Sequence, residues 1–336
     1  AVDARILVNS TDQEESITGA FKLQCKVENK YEPCSRDYYD FPLSRWKIMR
    51  DQNGLIVQSL KSKKMFPVAG DSFYLLGEMD YKNKKIQRLH INFDKTETQW
   101  IVHLPVDQYL QGVLSGEVPA SWPEESLKAQ AIASRTYFLF KKYENEQKAF
   151  DVRSDIMDQV FHISGDKHKS IIDAVKQTQG LVLVSKKKKD IFPAYFHSDC
   201  GGHTSSEKDV WRKPSSLNKI VKDPYCKTAS KNNWSLYMDK VKLMELLQVA
   251  FHIPKEIHLK YILPRFEKES RAHIIDFMFS NNDVKRMNAN ELRKIIGFEK
   301  LKSTQFSVSA LAAFSASWRR AFGHGVGMCQ WGAQRW

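Results

Sequence analysis

Short apolar or alternating runs, separated by polar turns, fill the first hundred residues. The runs read ARILV, AFKLQCKV, SRWKIM, GLIVQSL, SFYLLGEM and LHINF, and the turns include DQNG at 51–54 and YKNK at 81–84. Alternation with a period of two places apolar side chains on one face of a strand, and clusters of Asn, Asp and Gly end strands. Residues 1–100 are therefore predicted to form a β-rich N-terminal region.

The spacing becomes helical after Ile101. Apolar residues recur at three- and four-residue intervals from Val106 to Leu114, and Pro119 ends this segment. Pro123 suits the first turn of a second helix, which is predicted to run to about Lys142.

The rest of the chain alternates between strand and helix patterns. The stretch GLVLVS–KKKKD–IFPAYFHS is predicted to form a hairpin, residues 238–250 an amphipathic helix, and YILPRFEKES with RAHIIDFMFS a second hairpin. The segment NANELRKIIG is predicted to be a short helix, because Asn288 and Glu291 resemble a capping box and Gly297 stands at its end.

Composition narrows the classes of partner. The chain carries 52 Lys+Arg against 39 Asp+Glu, a net charge of +13, and its 42% hydrophobic residues exclude a disordered chain. Nucleic acid, an anionic membrane and an anionic polysaccharide all fit the charge. No helix-turn-helix, zinc-finger or RNP pattern is present, so no nucleic-acid partner is predicted. The longest weakly apolar stretch, FSVSALAAFSASW, is shorter than the roughly 18–20 residues of a membrane span. The chain as given is therefore not predicted to be an integral membrane protein.

Five cysteines allow two interpretations. Cys25 with Cys34 and Cys200 with Cys226 are candidate disulfides that close short loops, which leaves Cys329 over. Five reduced thiols in a cytosolic protein are the alternative. The start at Ala1 without Met fits a removed signal peptide.

Three segments carry candidate chemistry, the first around Glu117. This carboxylate lies between the two helical patterns, just before Pro119. Lys128 and Arg135 are seven residues apart and share a face of the second helix, which is predicted to be mostly buried. The two cations need a partner, either Glu117 or an anionic ligand. A structural ion-pair network around a buried helix is the alternative.

The second segment is YFHSDCGGHTSS, with His197, Cys200 and His203. His197, His203 and Cys200 with Cys226 form a possible zinc set, although the spacing lacks the two ligand pairs of structural zinc sites. A Cys200–Cys226 disulfide with one histidine in a polar cleft is favoured over zinc, and no cofactor is predicted.

The third segment is GHGVGMCQWGA. Glycines alternate with His324 and Val326 from Gly323 to Gly327, so an extended segment would have one bare face. Backbone or substrate would then approach closely. Tight packing of a strand against a helix is the alternative.

Together and in this order, the three segments resemble the stage II sporulation protein D family, which includes proteins described as amidase enhancers. VDQYLQGVLSGEVPASWPEESLKAQAIASRTY is similar to the family's L-x-x-Y-L-x-G-V-x-x-E-M-P-x-x-x-P-x-E-A-L-K-A-Q-A-V-A-A-R-T-Y. AYFHSDCGGHTSS resembles Y-x-H-S-x-x-G-G-x-T, and GHGVGMCQWGA resembles G-H-G-V-G-M-S-Q-Y-G-A. The resemblance covers roughly residues 100–336.

The resemblance implies a lytic transglycosylase that cuts the MurNAc–GlcNAc bond of peptide-stripped peptidoglycan and leaves 1,6-anhydro-MurNAc ends. It places the catalytic role on Glu117 and substrate binding on the positions that match the family's other motif residues, namely Lys128, Arg135, His197 and His324. Trp331 stands where the family has Tyr, Cys329 where it has Ser, and Val118 where it has Met.

A single carboxyl group suffices for this chemistry. Protonated Glu117 would donate to the glycosidic oxygen and then take the proton of the MurNAc C6 hydroxyl as that hydroxyl attacks C1. Lys128 and Arg135 are expected to face substrate oxygens or the lactyl carboxylates of the glycan more than Glu117, and Trp122 and Trp331 to stack on sugars. The alternative is a non-catalytic glycan-binding protein that stimulates an N-acetylmuramoyl-L-alanine amidase. Either reading places the chain outside the cytoplasm.

The predicted fold class is α+β. Mixed sheets surround a central pair of helices at about 106–142, which forms the floor of an open substrate cleft. The predicted domains are the β-rich region 1–100 and a catalytic domain 101–336, in which 238–300 form a small subdomain.

Overall fold

The computed structural model describes residues 2–11, 14–34, 40–94, 97–163, 168–211, 220–226, 233–266, 271–309, 313–319 and 321–335. The chain divides into two compact units, 1–193 and 194–336. The functional division at residue 100 and the subdomain at 238–300 stay predictions, because a compact unit is defined by packing and not by activity.

The first unit contains one large sheet and three described helices. Its strands are β1 (Asp3–Thr11), β2 (Glu15–Val27), β3 (Lys30–Pro33), β4 (Asp40–Asp51), β5 (Gly54–Ser59), β6 (Met65–Ala69), β7 (Ser72–Tyr81), β8 (Lys84–Phe93), β9 (Thr98–Pro105) and β10 (Val152–Arg153). Its helices are α1 (Val106–Glu117), α2 (Glu124–Glu144) and α3 (Lys169–Gln177).

The sheet has ten strands in the order β10-β1-β9-β8-β7-β2-β4-β5-β6, with β3 paired to β2. Alternation in β2 buries Ile17, Phe21 and Leu23, whereas the adjacent Thr18 and Lys22 are exposed, as a period of two requires. A disulfide joins Cys25 of β2 to Cys34 beyond β3. After α1 and α2 the chain returns to its first strand, where β10 pairs with β1 in parallel.

The helices α1 and α2 pack on this sheet. Tyr109, Leu110 and Val113 of α1 and Phe138 of α2 lie in the same buried cluster as the apolar side chains of the strands. The N-terminal strands and the first helices therefore share one core. The mixed α+β class is confirmed, and the floor of a substrate cleft stays a prediction.

The second unit contains three small sheets and four described helices. Its strands are β11 (Phe196–His197), β12 (Asn233–Asp239), β13 (Leu259–Phe266), β14 (Ala272–Phe279), β15 (Val284–Asn288), β16 (Ser307–Ser309), β17 (Ala313–Arg319) and β18 (Met328–Cys329). Its helices are α4 (Glu207–Trp211), α5 (Lys240–Phe251), α6 (Ala289–Ile296) and α7 (Gln330–Ala333). The sheets run β11-β18, β12-β17-β16 and β13-β14-β15.

Local signals predicted much of this unit. The segments at 259–266 and 272–279 form the antiparallel pair β13–β14. The capping box between Asn288 and Glu291 is present at the start of α6, and Gly297 follows its last turn.

The predicted hairpin at 180–198 forms only at its turn. An isolated antiparallel bridge joins Val184 to Ile191, and the Ser185 N–H donates to the Asp190 carbonyl oxygen over 2.8 Å, but no ladder continues from this bridge. The Leu183 N–H instead donates to the Thr136 hydroxyl over 2.9 Å, and the Leu181 carbonyl accepts from Arg135 over 3.3 Å. Side chains of α2 thus form hydrogen bonds with backbone N–H and C=O groups that the strands of a hairpin would otherwise use to pair. Among the helices that the structure describes, none is long and apolar enough to cross a membrane.

Candidate functional site

Glu117 is the last residue of α1, and its carboxylate is anchored by backbone. The Val160 N–H donates to Glu117 Oε1 over 2.7 Å. The segment around Val160 comes this close because α1 presents glycine to it: a Cβ on Gly116 would lie 2.7 Å from the Val160 carbonyl oxygen. The absence of a side chain at Gly116 therefore helps to position the candidate catalytic carboxylate.

The loop that follows Glu117 is held by a small apolar cluster. Trp122 packs against a buried set formed by Val118, Leu127 and Ala174. This cluster ties the loop to α2 and α3. Trp122 is only partly buried, so part of this residue remains accessible. Its predicted stacking on a sugar stays a prediction.

Lys128 forms ion pairs within its own helix. Its Nζ lies 2.9 Å from a carboxylate oxygen of Glu124 and 2.9 Å from one of Glu125. The hydrogen bond with Glu125 is the main cause that raises the pKa of Lys128 above its ordinary value. The side chains of Glu124 and Glu125 are 57% and 85% exposed, so these pairs are weak and another anion can replace them.

Arg135 is buried, with 3% of its side chain exposed. It donates hydrogen bonds to the carbonyl oxygens of Val175, Thr178 and Leu181 at and beyond the end of α3, over 3.2, 2.8 and 3.3 Å. Its Nη2 also lies 3.7 Å from Asp107. Burial lowers the pKa of Arg135 below its ordinary value. Although Lys128 and Arg135 are seven residues apart on one helix, Lys128 pairs with exposed glutamates and Arg135 is buried. The contact of Arg135 with substrate stays a prediction.

In the second unit, His197 and His324 lie side by side, with ring centroids 5.7 Å apart. His197 Nδ1 is 3.0 Å from the Val326 carbonyl oxygen, which only accepts, so Nδ1 carries the proton. Among the described residues, its buried Nε2 has no hydrogen-bond partner. Burial, with the nearby Arg271 charge, lowers the pKa of His197 to about 3. The ring is therefore neutral at physiological pH.

His324 is also held neutral. The Val326 N–H donates to its Nδ1 over 3.0 Å, and burial, followed by His197, lowers its pKa well below the ordinary value. Trp211 lies 4.9 Å from the His324 ring and 4.7 Å from Tyr195, measured between centroids. Tyr195 lies in the second sequence motif and Trp211 follows that motif by five residues, and the sequence predicts no role for either.

The glycine-rich segment is not extended. Gly323, Gly325 and Gly327 have φ angles of 91°, 85° and 79°, so the predicted bare face of a strand is wrong. A Cβ on Gly325 would lie 2.8 Å from the Arg271 guanidinium, and one on Gly327 would overlap the Tyr195 carbonyl oxygen. Atoms of this unit occupy the space beside these glycines, as the alternative of tight packing requires.

Cys200, Cys226 and Cys329 are buried free thiols. The predicted disulfide between Cys200 and Cys226 is therefore absent. Instead, the sulfur of Cys329 lies beside these two thiols. The three sulfurs and a carboxylate oxygen of Asp223 all lie within 4.8 Å of one another. This cluster differs from the predicted zinc set, since it contains neither His197 nor His203. His203 instead forms a β-bridge with Lys222.

Hydrogen bonds distribute the protons among the three thiols unequally. Cys200, as the larger contributor, and Cys329 lower the pKa of Cys226. The hydrogen bond with Cys226 is the main cause that raises the pKa of Cys200, and that with Cys200 is the main cause that raises the pKa of Cys329. Three thiolates side by side repel one another, so the cluster alone does not hold three negative charges. Trp331 packs on the cluster, which gives this residue a structural contact beside its predicted sugar contact.

Comparison with known proteins agrees with the resemblance of the motifs. Residues 94–184 match the sequence model of the family described as Stage II sporulation protein. Stage II sporulation protein D of Bacillus subtilis is 27% identical over 254 residues, which cover 71% of this chain and 70% of that protein. The matched segment and these relatives support a place for the chain in the stage II sporulation protein D family.

Two further relatives differ in how much of their length is matched. An uncharacterized protein of Brachyspira hyodysenteriae is 30% identical over 233 residues, which cover 68% of this chain and 60% of that protein. A Bacillus subtilis protein named amidase enhancer is 27% identical over 277 residues, which cover 67% of this chain and 37% of the relative.

Proposed function

We propose that the protein is a lytic transglycosylase of peptidoglycan, with Glu117 as its single general acid and base. Its substrate would be glycan stripped of stem peptides, and its products would carry 1,6-anhydro-MurNAc ends. The observation that carries the proposal is the position of Glu117 in the matched segment, at the end of α1, with one carboxylate oxygen fixed by the Val160 N–H over 2.7 Å. A general acid must be held in place to meet one glycosidic oxygen.

The proposed reaction needs no second carboxylate. The Glu117 proton passes to the glycosidic oxygen as the bond to C1 breaks. The C6 hydroxyl of the same MurNAc then attacks C1, and its proton returns to Glu117. Water is not consumed, because the intramolecular hydroxyl takes the place of an external nucleophile. Each cycle leaves Glu117 protonated and ready for another bond.

Lys128 supports the proposal through its charge. Each MurNAc of stripped glycan carries a lactyl carboxylate, and the chain has a net charge of +13. The partners of Lys128 are two exposed glutamates, Glu124 and Glu125, so a substrate carboxylate can displace them at little cost. Lys128→Met is expected to raise KM for stripped glycan more than it lowers kcat.

The deciding experiment compares Glu117→Gln with the parent protein on peptide-free glycan strands, with mass spectrometry of the products. The parent is expected to release anhydro-ended fragments, and Glu117→Gln to release none while its circular dichroism spectrum is unchanged. Glu146→Gln, an exposed carboxyl in the same unit, is the matched control and should stay active. Anhydro products from Glu117→Gln would refute the role of Glu117.

A second function has support from a relative's name. The Bacillus subtilis relative called amidase enhancer suggests that the protein binds glycan and stimulates an amidase. If the parent protein binds glycan, yields no anhydro ends and accelerates stem-peptide release by an N-acetylmuramoyl-L-alanine amidase, this function replaces the first. Both functions would place the protein outside the cytoplasm, where the Cys25–Cys34 disulfide is stable.

A further inference from the structure

The thiol cluster of the second unit consists of Cys200, Asp223, Cys226 and Cys329. We propose that these four side chains bind one zinc ion as a closed structural site. The inference is independent of the transglycosylase proposal, because none of the four residues is assigned a catalytic role.

The size of the cluster fits a tetrahedral metal. All four candidate ligand atoms lie within 4.8 Å of one another. Zinc bonded to sulfur at about 2.3 Å in a tetrahedron sets neighbouring sulfurs roughly 3.8 Å apart, and a carboxylate oxygen comes slightly closer. Cys200 Sγ already lies 3.3 Å from Asp223 Oδ2. Small side-chain movements would therefore complete the tetrahedron.

The backbone around the sulfurs is arranged to support thiolates. The Gly202 N–H donates to Cys200 Sγ over 3.3 Å, and the N–H groups of Cys200 and Gly332 each donate to Cys329 Sγ over 3.3 Å. Hydrogen bonds of this kind surround ligating sulfurs in metal sites and stabilise their negative charge. Zinc would displace the thiol protons into solvent, so binding is coupled to deprotonation.

Buried positive charge lies beside the cluster. The Arg271 guanidinium donates to the carbonyl oxygen of Cys200 over 2.7 Å. It also interacts electrostatically with Asp199 and with all three cysteines. Asp199 Oδ1 now accepts from the Cys226 thiol over 2.8 Å, and this hydrogen bond would be lost when the thiol proton leaves. Arg271 and the metal together would compensate the resulting negative charges.

A disulfide explains the cluster less well. Any disulfide uses two of the three cysteines and leaves the third as a buried thiol beside the Asp223 carboxylate. The close approach of Asp223 is built into the backbone: the Asp223 N–H donates to the Gly202 carbonyl over 2.9 Å, and a Cβ on Gly332 would collide with the carboxylate. Two separate chain segments thus make room for an oxygen ligand beside the sulfurs.

The position of the ligands defines what the metal would do. Cys200 follows β11, Asp223 and Cys226 lie in one turn, and Cys329 ends β18. One ion would therefore fasten the histidine-containing segment to the glycine-rich segment across 129 residues of sequence. Four protein ligands leave no open position for water or substrate, so the site is structural. Cys329 stands where the family motif has serine, so this chain adds a ligand of its own.

The test measures metal in protein purified without added metal ions. Mass spectrometry of metals is expected to find about one zinc per chain, released when the thiols are blocked. Replacement by cobalt should produce thiolate-to-cobalt charge-transfer absorption. Cys329→Ser, a residue that the family motif accepts, and the nearly isosteric Asp223→Asn should each weaken zinc retention at least tenfold against a competing chelator. His203→Ala is the matched control and should retain zinc as the parent does.

Three outcomes would overturn the proposal. One is parent protein that holds no zinc and gives no charge-transfer band with cobalt. Another is a disulfide between two of the three cysteines in non-reducing peptide maps. The last is loss of zinc from His203→Ala but not from Cys329→Ser, which would assign the metal to the histidines. Metal content is read without any glycan assay, so this failure is distinct from failure of the transglycosylase proposal.

Discussion

Arg135 in α2 and Thr178 at the end of α3 are joined by a hydrogen bond, in which Arg135 Nη1 donates to the Thr178 carbonyl oxygen over 2.8 Å. The last carbonyls of a helix have no partner within the helix, and a buried guanidinium supplies several donors at once. One side chain of α2 thus completes the end of α3. This contact gives the matched arginine a structural reason to be present, whatever its role towards substrate.

Arg135→Lys is expected to destabilise the first unit by about 2 kcal/mol, because a single ammonium cannot satisfy the carbonyls that the planar guanidinium serves. Urea unfolding measures the loss. Lys128→Met, in the more accessible part of the same helix, is the control, with a change below about 1 kcal/mol. If Arg135→Lys unfolds at the parent's urea concentration but binds glycan poorly, Arg135 serves substrate and not the fold.

Asp151 is fully buried and joins three parts of the first unit. It accepts from the backbone N–H and from the Nε of Arg5, each over 2.9 Å, and from Lys142 Nζ over 3.1 Å. Asp151→Asn removes the negative charge that faces two cations, which should cost about 3 kcal/mol, the low end for a buried pair, because the Arg5 and Lys142 side chains are partly exposed. Asp173→Asn, in the exposed helical pair with Lys169, should cost only about 0.5 kcal/mol in the same urea titration.

Equal losses in these two variants would contradict this view of Asp151. Double substitution of Asp151 and Arg5 provides a further check, since the two single losses should not add when the residues act as a pair. Addition of the two losses would mean that the residues stabilise the fold separately.

Local sequence signals predicted the helices and strands that depend on neighbouring residues. Some strands that the sequence did not predict depend on contacts between distant parts of the chain. Alternation and helical spacing predicted six strands of the large sheet, the pair β13–β14, α1, α2 and the capped α6, because each depends on neighbours in sequence. The two-residue strand β10 was not predicted, since it exists only by pairing with β1 across more than a hundred residues. The edge strand β6 was not predicted either, because it contains Pro67 and proline weakens the sequence signal of a strand.

The candidate sites divide in the same way. Glu117 and Lys128 were found because their motif is contiguous in sequence. Cys200 was first grouped with His203, three residues away, whereas the structure places it with Cys329. Sequence proximity favours ligand sets within one loop, but the fold decides which side chains meet. Asp223 carried no sequence signal of its own, and only the folded chain assigns it to the cluster.

Stability of the first unit should fall in mild acid because His90 and His103 are buried as neutral rings. Burial, more than the charges of neighbours such as Arg5, lowers the pKa of His90 to about 3 and that of His103 to about 4. Unfolded histidine titrates near pH 6.5, so below that value the unfolded state binds more protons than the native state. The stabilisation is complete above about pH 6.5 and is lost as pH falls towards the native pKa values.

Each histidine is expected to contribute about 1.4 kcal/mol of lost stability per pH unit below 6.5, until its native pKa is reached. Thermal unfolding between about pH 7.5 and 5 measures the effect. His90→Gln should reduce the slope, and His258→Gln, at an exposed position, should not. An unchanged slope in His90→Gln would show that other groups cause the acid sensitivity.

Gly327 tests whether the glycine-rich segment is fixed by close packing. Its φ of 79° disfavours any side chain, and an added Cβ would overlap the carbonyl oxygen of Tyr195, which accepts from the Met328 N–H over 3.0 Å. Gly180 is a matched control, because its φ is 76° but no atom lies within 4 Å of an added Cβ. Gly180→Ala should therefore cost only the backbone term, about 1–2 kcal/mol.

Gly327→Ala should cost this backbone term and, in addition, the separation of β18 from β11. We expect a total loss above about 3 kcal/mol in calorimetric unfolding, together with weakened protection of the Met328 amide in hydrogen exchange. Equal costs for the two alanine variants would mean that the segment yields easily and that the glycines serve only their φ angles. A larger cost at Gly327 alone would establish that contact with β11 fixes the conformation of the motif.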